Sequence, residues 1–101
     1  MKVIYTDQSH ESLDESVEFL LYEQKLPLEK VSEIVDRVLN KADNLATTYR
    51  IYPLEQSLDH LGLGHRRAIE GHFKIVFLIE GAVIYITDIF DTRQDPRKIK
   101  S

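Results

Sequence analysis

The chain has 101 residues, 43% of them apolar and 30% charged, with a formal net charge of -4 and no cysteine. That length predicts one domain, residues 1–101, around a single economical core, and the composition excludes a disordered or membrane-embedded chain. The missing cysteines exclude disulfides and thiolate ligands. Apolar runs such as Ile75–Ile79 fall far short of a membrane span. The opening MKVIYTDQSH lacks the apolar core of a signal peptide, so the expected location is cytoplasmic, with no membrane partner.

Charge is unevenly spread. Residues 1–60 carry six Lys/Arg against twelve Asp/Glu, a balance of -6, whereas residues 61–101 carry seven against five, a balance of +2. An acidic half joined to a basic half suggests one face that repels polyanions and one that attracts them.

In chain order, residues 2–6 (KVIYT) read as a short strand rich in β-formers. Ser12 with Glu15 has the spacing of a capping box. Beyond it Leu13, Val17, Leu20 and Leu21 mark one face of a helix over 12–25. Pro27 suits an early position of the next helix. That helix, 28–46, places Leu28, Val31, Ile34, Val35, Val38, Ala42 and Leu45 on one stripe. A very short link makes the two an antiparallel helical hairpin. Residues 47–64 show no sustained period and read as a connecting loop, with one helical turn at 54–58. Three strands follow at 65–70, 73–80 and 82–91, joined by glycine-containing links that allow only hairpins. The expected fold class is therefore α+β: an N-terminal strand, a helical hairpin and a three-stranded antiparallel meander in one sheet, taken as antiparallel throughout.

Strict alternation would put Phe73, Ile75, Phe77 and Ile79 on one face of the sheet and Val76 and Leu78 on the other. In the last strand it would oppose Val83, Tyr85 and Ile89 to Ile84, Ile86 and Phe90. Two helices cover only one face, so the second needs a cover. A partner is expected to supply it, the plainer alternative being the 47–64 loop.

The Arg66-Arg67 doublet, Phe73-Lys74-Ile75-Val76-Phe77, residues 84–89 and Arg93-Gln94-Asp95-Pro96, taken with this element order, resemble the RelE/ParE family of bacterial toxins over almost the whole chain. The resemblance implies the toxin of a type II toxin–antitoxin module of the plasmid-stabilisation kind. Such a toxin inhibits growth and is neutralised by a cognate antitoxin protein, with homodimers or toxin–antitoxin hetero-oligomers as assemblies. ParE-like members poison DNA gyrase; RelE-like members are ribosome-dependent endoribonucleases that cut messenger RNA. A member that has lost toxicity would persist as an antitoxin-binding module. Only the RNase would be an enzyme.

RNA cleavage of this kind needs a base for the 2′-hydroxyl, an acid for the leaving oxygen and cations for the phosphorane. By resemblance Arg67, Lys74 and Arg93 would be its catalytic residues, and Arg66, Arg67, Lys74, Arg93 and Arg97 the target-binding set. Lys74 stands where the family has an arginine, keeping the charge but losing the bidentate fork. No tyrosine follows Arg93, and Asp91 stands where many relatives have histidine. Glu70 or His72 could serve as base, though neither matches a family position. The incomplete set and the Arg-Gln-Asp tail favour the gyrase inhibitor slightly. Plainer readings stand beside these: Arg66 and Arg67 coating a strand edge, Lys74 as a solvated residue, and Arg93 pairing with Asp88, Asp91 or Asp95. His10, His60, His65 and His72 lack metal-ligand spacing, so no metal and no cofactor is expected. Arg67, Lys74 and Arg93 are expected to converge on one patch.

Overall fold

A computed structural model describes residues 1–94. In chain order its elements are β1 (Lys2–Tyr5), α1 (Asp7–Glu18), a π-helical turn (Phe19–Glu23) and α2 (Leu28–Thr48). Two 3-10 turns follow (Tyr49–Ile51 and Gln56–Leu61), then β2 (Arg66–Glu70), β3 (Phe73–Glu80) and β4 (Val83–Asp91).

Helix α1 begins earlier than the Ser12–Glu15 spacing predicts. Thr6 is its N-cap, the Thr6 hydroxyl accepting from the Ser9 backbone N–H at 3.1 Å while the Ser9 hydroxyl donates to the Thr6 carbonyl at 2.7 Å. Asp7 in the first turn suits the positive end of the helix dipole. Ser12 lies buried inside the helix instead, on one face with Ser9 and Ser16. These small residues let α1 lie close against β4, where the Asp91 backbone N–H donates to the Ser16 hydroxyl at 3.0 Å. Pro27 is the N-cap of α2, and a free backbone N–H is not missed there. The α2 stripe buries Val31, Val38, Ala42 and Leu45, but Leu28, expected on it, is exposed.

The sheet order is β1-β4-β3-β2, with β4 inside the sheet. The meander is antiparallel as expected. The first strand is not: β1 pairs with β4 in parallel, Lys2 opposite Val83 and Tyr5 opposite Ile86, so the sheet is mixed. The physical reason is that the helical hairpin is itself the long connection that carries the chain across one face, which is what a parallel pair requires.

Strict alternation fails in β4 at a bulge. Val76 pairs with Asp88 but Phe77 pairs with Ile86, leaving Thr87 as an extra residue, its hydroxyl donating to the Val76 carbonyl. Ile89 therefore joins Ile84 and Ile86 on the helix side, instead of siding with Val83 and Tyr85. There Phe73, Ile75, Phe77 and the three isoleucines pack against Leu20, Val38, Ala42 and Leu45. The second face is covered only in part: Val76 and Asp88 are fully buried on it and Glu55 reaches it from the 47–64 segment, while Leu78, Tyr85 and Phe90 stay half-buried and Ile69 is exposed.

Candidate functional site

The β2–β3 register sets Arg67 opposite Val76 and Ile69 opposite Lys74, so Arg67 and Lys74 are diagonal neighbours across about 5 Å of strand spacing. Their chain neighbours Ala68, Phe73 and Ile75 belong to the helix-side core. Both cations therefore stand together on the second face.

Between them sits a residue that sequence reasoning missed. Glu55 comes from the segment between the two 3-10 turns and is 4% exposed; its Oε2 lies 2.6 Å from Lys74 Nζ and its Oε1 3.9 Å from the Arg67 guanidinium. The Arg67 guanidinium also donates to the Leu54 carbonyl, and Lys74 Nζ lies 6.0 Å from the centre of the Phe90 ring. Nothing in the pattern around Pro53-Leu54-Glu55 marks that carboxylate in advance, because the contact spans a loop with no period of its own.

Residues 52–64 form a strap along the outer edge of β2. The Glu55 N–H donates to the His65 carbonyl at 2.7 Å and the Arg67 N–H to the Pro53 carbonyl at 3.0 Å, and Leu54 bridges to Arg66. His65 is buried behind this edge, and desolvation pushes its imidazole pKa below the ordinary value.

The arginine doublet is split by the strand. Arg66 shares the parity of Ala68, and its guanidinium donates to the Tyr52 carbonyl at 2.8 Å, tying the strap to the sheet rather than facing outward with Arg67. Arg93 does not converge with Lys74. It grips the fully buried Asp91 with Nε and a terminal nitrogen, donates to Gln24 Oε1 at 3.1 Å and stacks over Phe19, all on the helix side. Hydrogen bonds to Asp91 raise its already high pKa. It borders a cavity of about 210 Å³ floored by Leu20, Val38 and Phe73 and also lined by Glu70 and His72. The two residues offered as a base thus sit with Arg93, away from Lys74. Arg97 lies outside the described residues.

Chemically, the second face offers two cations and a carboxylate already joined to each other. The cations can neutralise an anionic group, and the carboxylate is a proton acceptor if it is released. No acid–base pair completes the set there among the residues singled out. No helix among the described residues is long and apolar enough to cross a membrane.

No protein-family model and no curated protein matches the sequence. A solved structure does match: a chain of the toxin–antitoxin complex RelBE2 from Mycobacterium tuberculosis superposes with a TM-score of 0.51 and 17% identity, over 89% of this chain and 95% of that one. The protein has a RelE-like α+β fold. At that identity the likeness carries the fold alone.

Proposed function

We infer that this protein is the toxin of a toxin–antitoxin module, held in check by a small antitoxin protein, and that it acts by binding a cellular target through the Arg67–Lys74 face of its sheet. The fold shared with a chain of RelBE2 supports the toxin reading. The observation that carries the binding mode is the withdrawal of Arg93 to the helix side by Asp91, which leaves Arg67 and Lys74 without the third cation an RNase set would take. Binding without chemistry, as in a gyrase inhibitor, fits that arrangement best.

A ribosome-dependent RNase is the second reading, and one observation favours it: the Glu55 carboxylate lies against Lys74, where a base could take a proton from a 2′-hydroxyl. Induced expression in a sensitive bacterium separates the two. The first predicts growth arrest with a DNA-damage response and intact messenger RNA; the second predicts cleaved messenger RNA. Arrest should be relieved by co-expressing the product of the neighbouring open reading frame and lost in Lys74→Ala. A chain that arrests nothing in either form would overturn the toxin reading.

A further inference from the structure

We propose that residues 52–64 are an autoinhibitory clasp: Glu55 occupies the anion-binding position made by Lys74 and Arg67, and the face engages its target only when the strap carries Glu55 away. The inference rests on the reading of that face as the target surface and adds the means by which it is kept closed.

Three features make the segment a clasp rather than a fixed part of the sheet. Its inward apolar contacts are confined to its start and middle: Tyr52 packs edge-on to Phe77 and Leu58 is buried beside Glu55, while Ile51, Leu54, Leu61 and Leu63 in and beside it are all exposed. A segment with so little buried apolar surface belongs to the low-stability end of a structure. It is built from a 3-10 turn and edge hydrogen bonds, which hold less firmly than an α-helix or a central strand. At its β2 end stand Gly62 and Gly64, both in the left-handed region (φ +66° and +79°) with nothing within 4 Å of an added Cβ, so this end is unpacked and made of residues with wide conformational freedom.

The charge arrangement gives the clasp its specificity. Glu55 meets two cations at once, 2.6 Å from Lys74 and 3.9 Å from Arg67. The Arg67 guanidinium and backbone N–H are both further engaged by the strap, through the Leu54 and Pro53 carbonyls. Closed, the strap engages both Arg67 and Lys74, so neither of these two cations is free for an approaching anion. Open, it presents two cations side by side, and the released carboxylate regains its hydration, which offsets much of the lost attraction.

A fluorescein-labelled oligouridylate, used as a counter of free cations, tests this by fluorescence anisotropy across a salt series. Glu55→Gln keeps the shape and removes the charge. It should bind about tenfold more tightly than the wild type. The slope of log affinity against log salt should steepen by roughly 1.4, the value for two added phosphate contacts on a single strand. The gain should vanish in Glu55→Gln/Lys74→Gln. Equal or weaker binding by a Glu55→Gln protein of unchanged thermal midpoint would overturn the proposal. Should that variant fail to fold, hydrogen exchange on the wild type decides. Saturating oligouridylate should speed exchange at the Glu55 and Arg67 amides, which bond across the strap edge, whereas unchanged or slower exchange there would sink the clasp. Neither measurement depends on growth arrest, so a non-toxic chain would leave the clasp standing and a failed clasp would leave toxicity standing.

Discussion

Arg93 holds Asp91 in a two-pronged grip, Nε to Oδ1 at 3.1 Å and a terminal nitrogen to Oδ2 at 2.7 Å, with the Asp91 side chain wholly out of solvent. The pair belongs to the fold before it belongs to any target. Arg93→Ala would strand a buried carboxylate and should cost about 3 kcal/mol in urea unfolding. Arg93→Lys keeps the charge without the fork and should fall between. A midpoint unchanged by Arg93→Ala would return the arginine to the list of solvated target-binding residues.

Deleting Thr87 tests the bulge. Without the extra residue, Asp88 follows Ile86 directly and residues 88–91 keep their faces and partners, Ile89 opposite Ile75 and Asp91 opposite Phe73, so the alternation of β4 becomes regular. No core side chain changes face, so the expected loss is about 1 kcal/mol, that of an ordinary single change. Circular dichroism should report a folded chain. An unfolded or molten deletion variant would show that the bend of the bulge is itself needed by the fold.

His65 should make the protein acid-sensitive. Its imidazole pKa is lowered in the fold by desolvation, so below the ordinary value of about 6.5 the unfolded chain takes up a proton that the folded one refuses. The resulting stability is fully present above pH 6.5 and is lost as the pH falls through the window beneath it. Thermal midpoints of the wild type and His65→Gln, measured between pH 7.5 and 5, should converge as the pH drops. Parallel curves would remove His65 as the cause.

At the alkaline end the sensitive group is Tyr5. Burial, then its 2.5 Å hydrogen bond to Asp43 and that residue's charge, push its pKa well above the ordinary tyrosine value. The folded chain therefore keeps a proton that the unfolded chain loses above about pH 10, and stability falls as the pH rises beyond that point. Of the five tyrosines, one should ionise late in an absorbance titration at high pH. Tyr5→Phe should remove that late phase; if it persists, another tyrosine is the protected one.

The periodic parts of the chain were legible because one buried face imposes one spacing. Val31, Val38, Ala42 and Leu45 announce α2, and Phe73, Ile75 and Phe77 announce the inner face of β3. What was hidden had no local spacing to reveal it. The parallel mate of β1 depends on which sheet edge the hairpin returns to, and the Thr87 bulge inverts a parity that the letters alone cannot show to be broken. For the site, the nearness of Arg67 and Lys74 followed from the meander, which sets their strands side by side. Glu55 did not, since an acidic residue in an irregular segment reads as solvated until the fold lays it on a cation. Arg93 was misplaced because a residue just beyond a strand can turn to either face, and the buried Asp91 decided which.

Because β1 lies alongside β4, the order of synthesis and the order of assembly run against each other. Among the described residues β1 has β4 as its sheet neighbour, so it waits while both helices and two further strands emerge. During that interval the inner faces of β3 and of α2 have no complete sheet to rest in, and a chain that must close such a distant pairing folds slowly and stays prone to wrong contacts. The four-stranded sheet is complete only when β4 takes its place between β1 and β3.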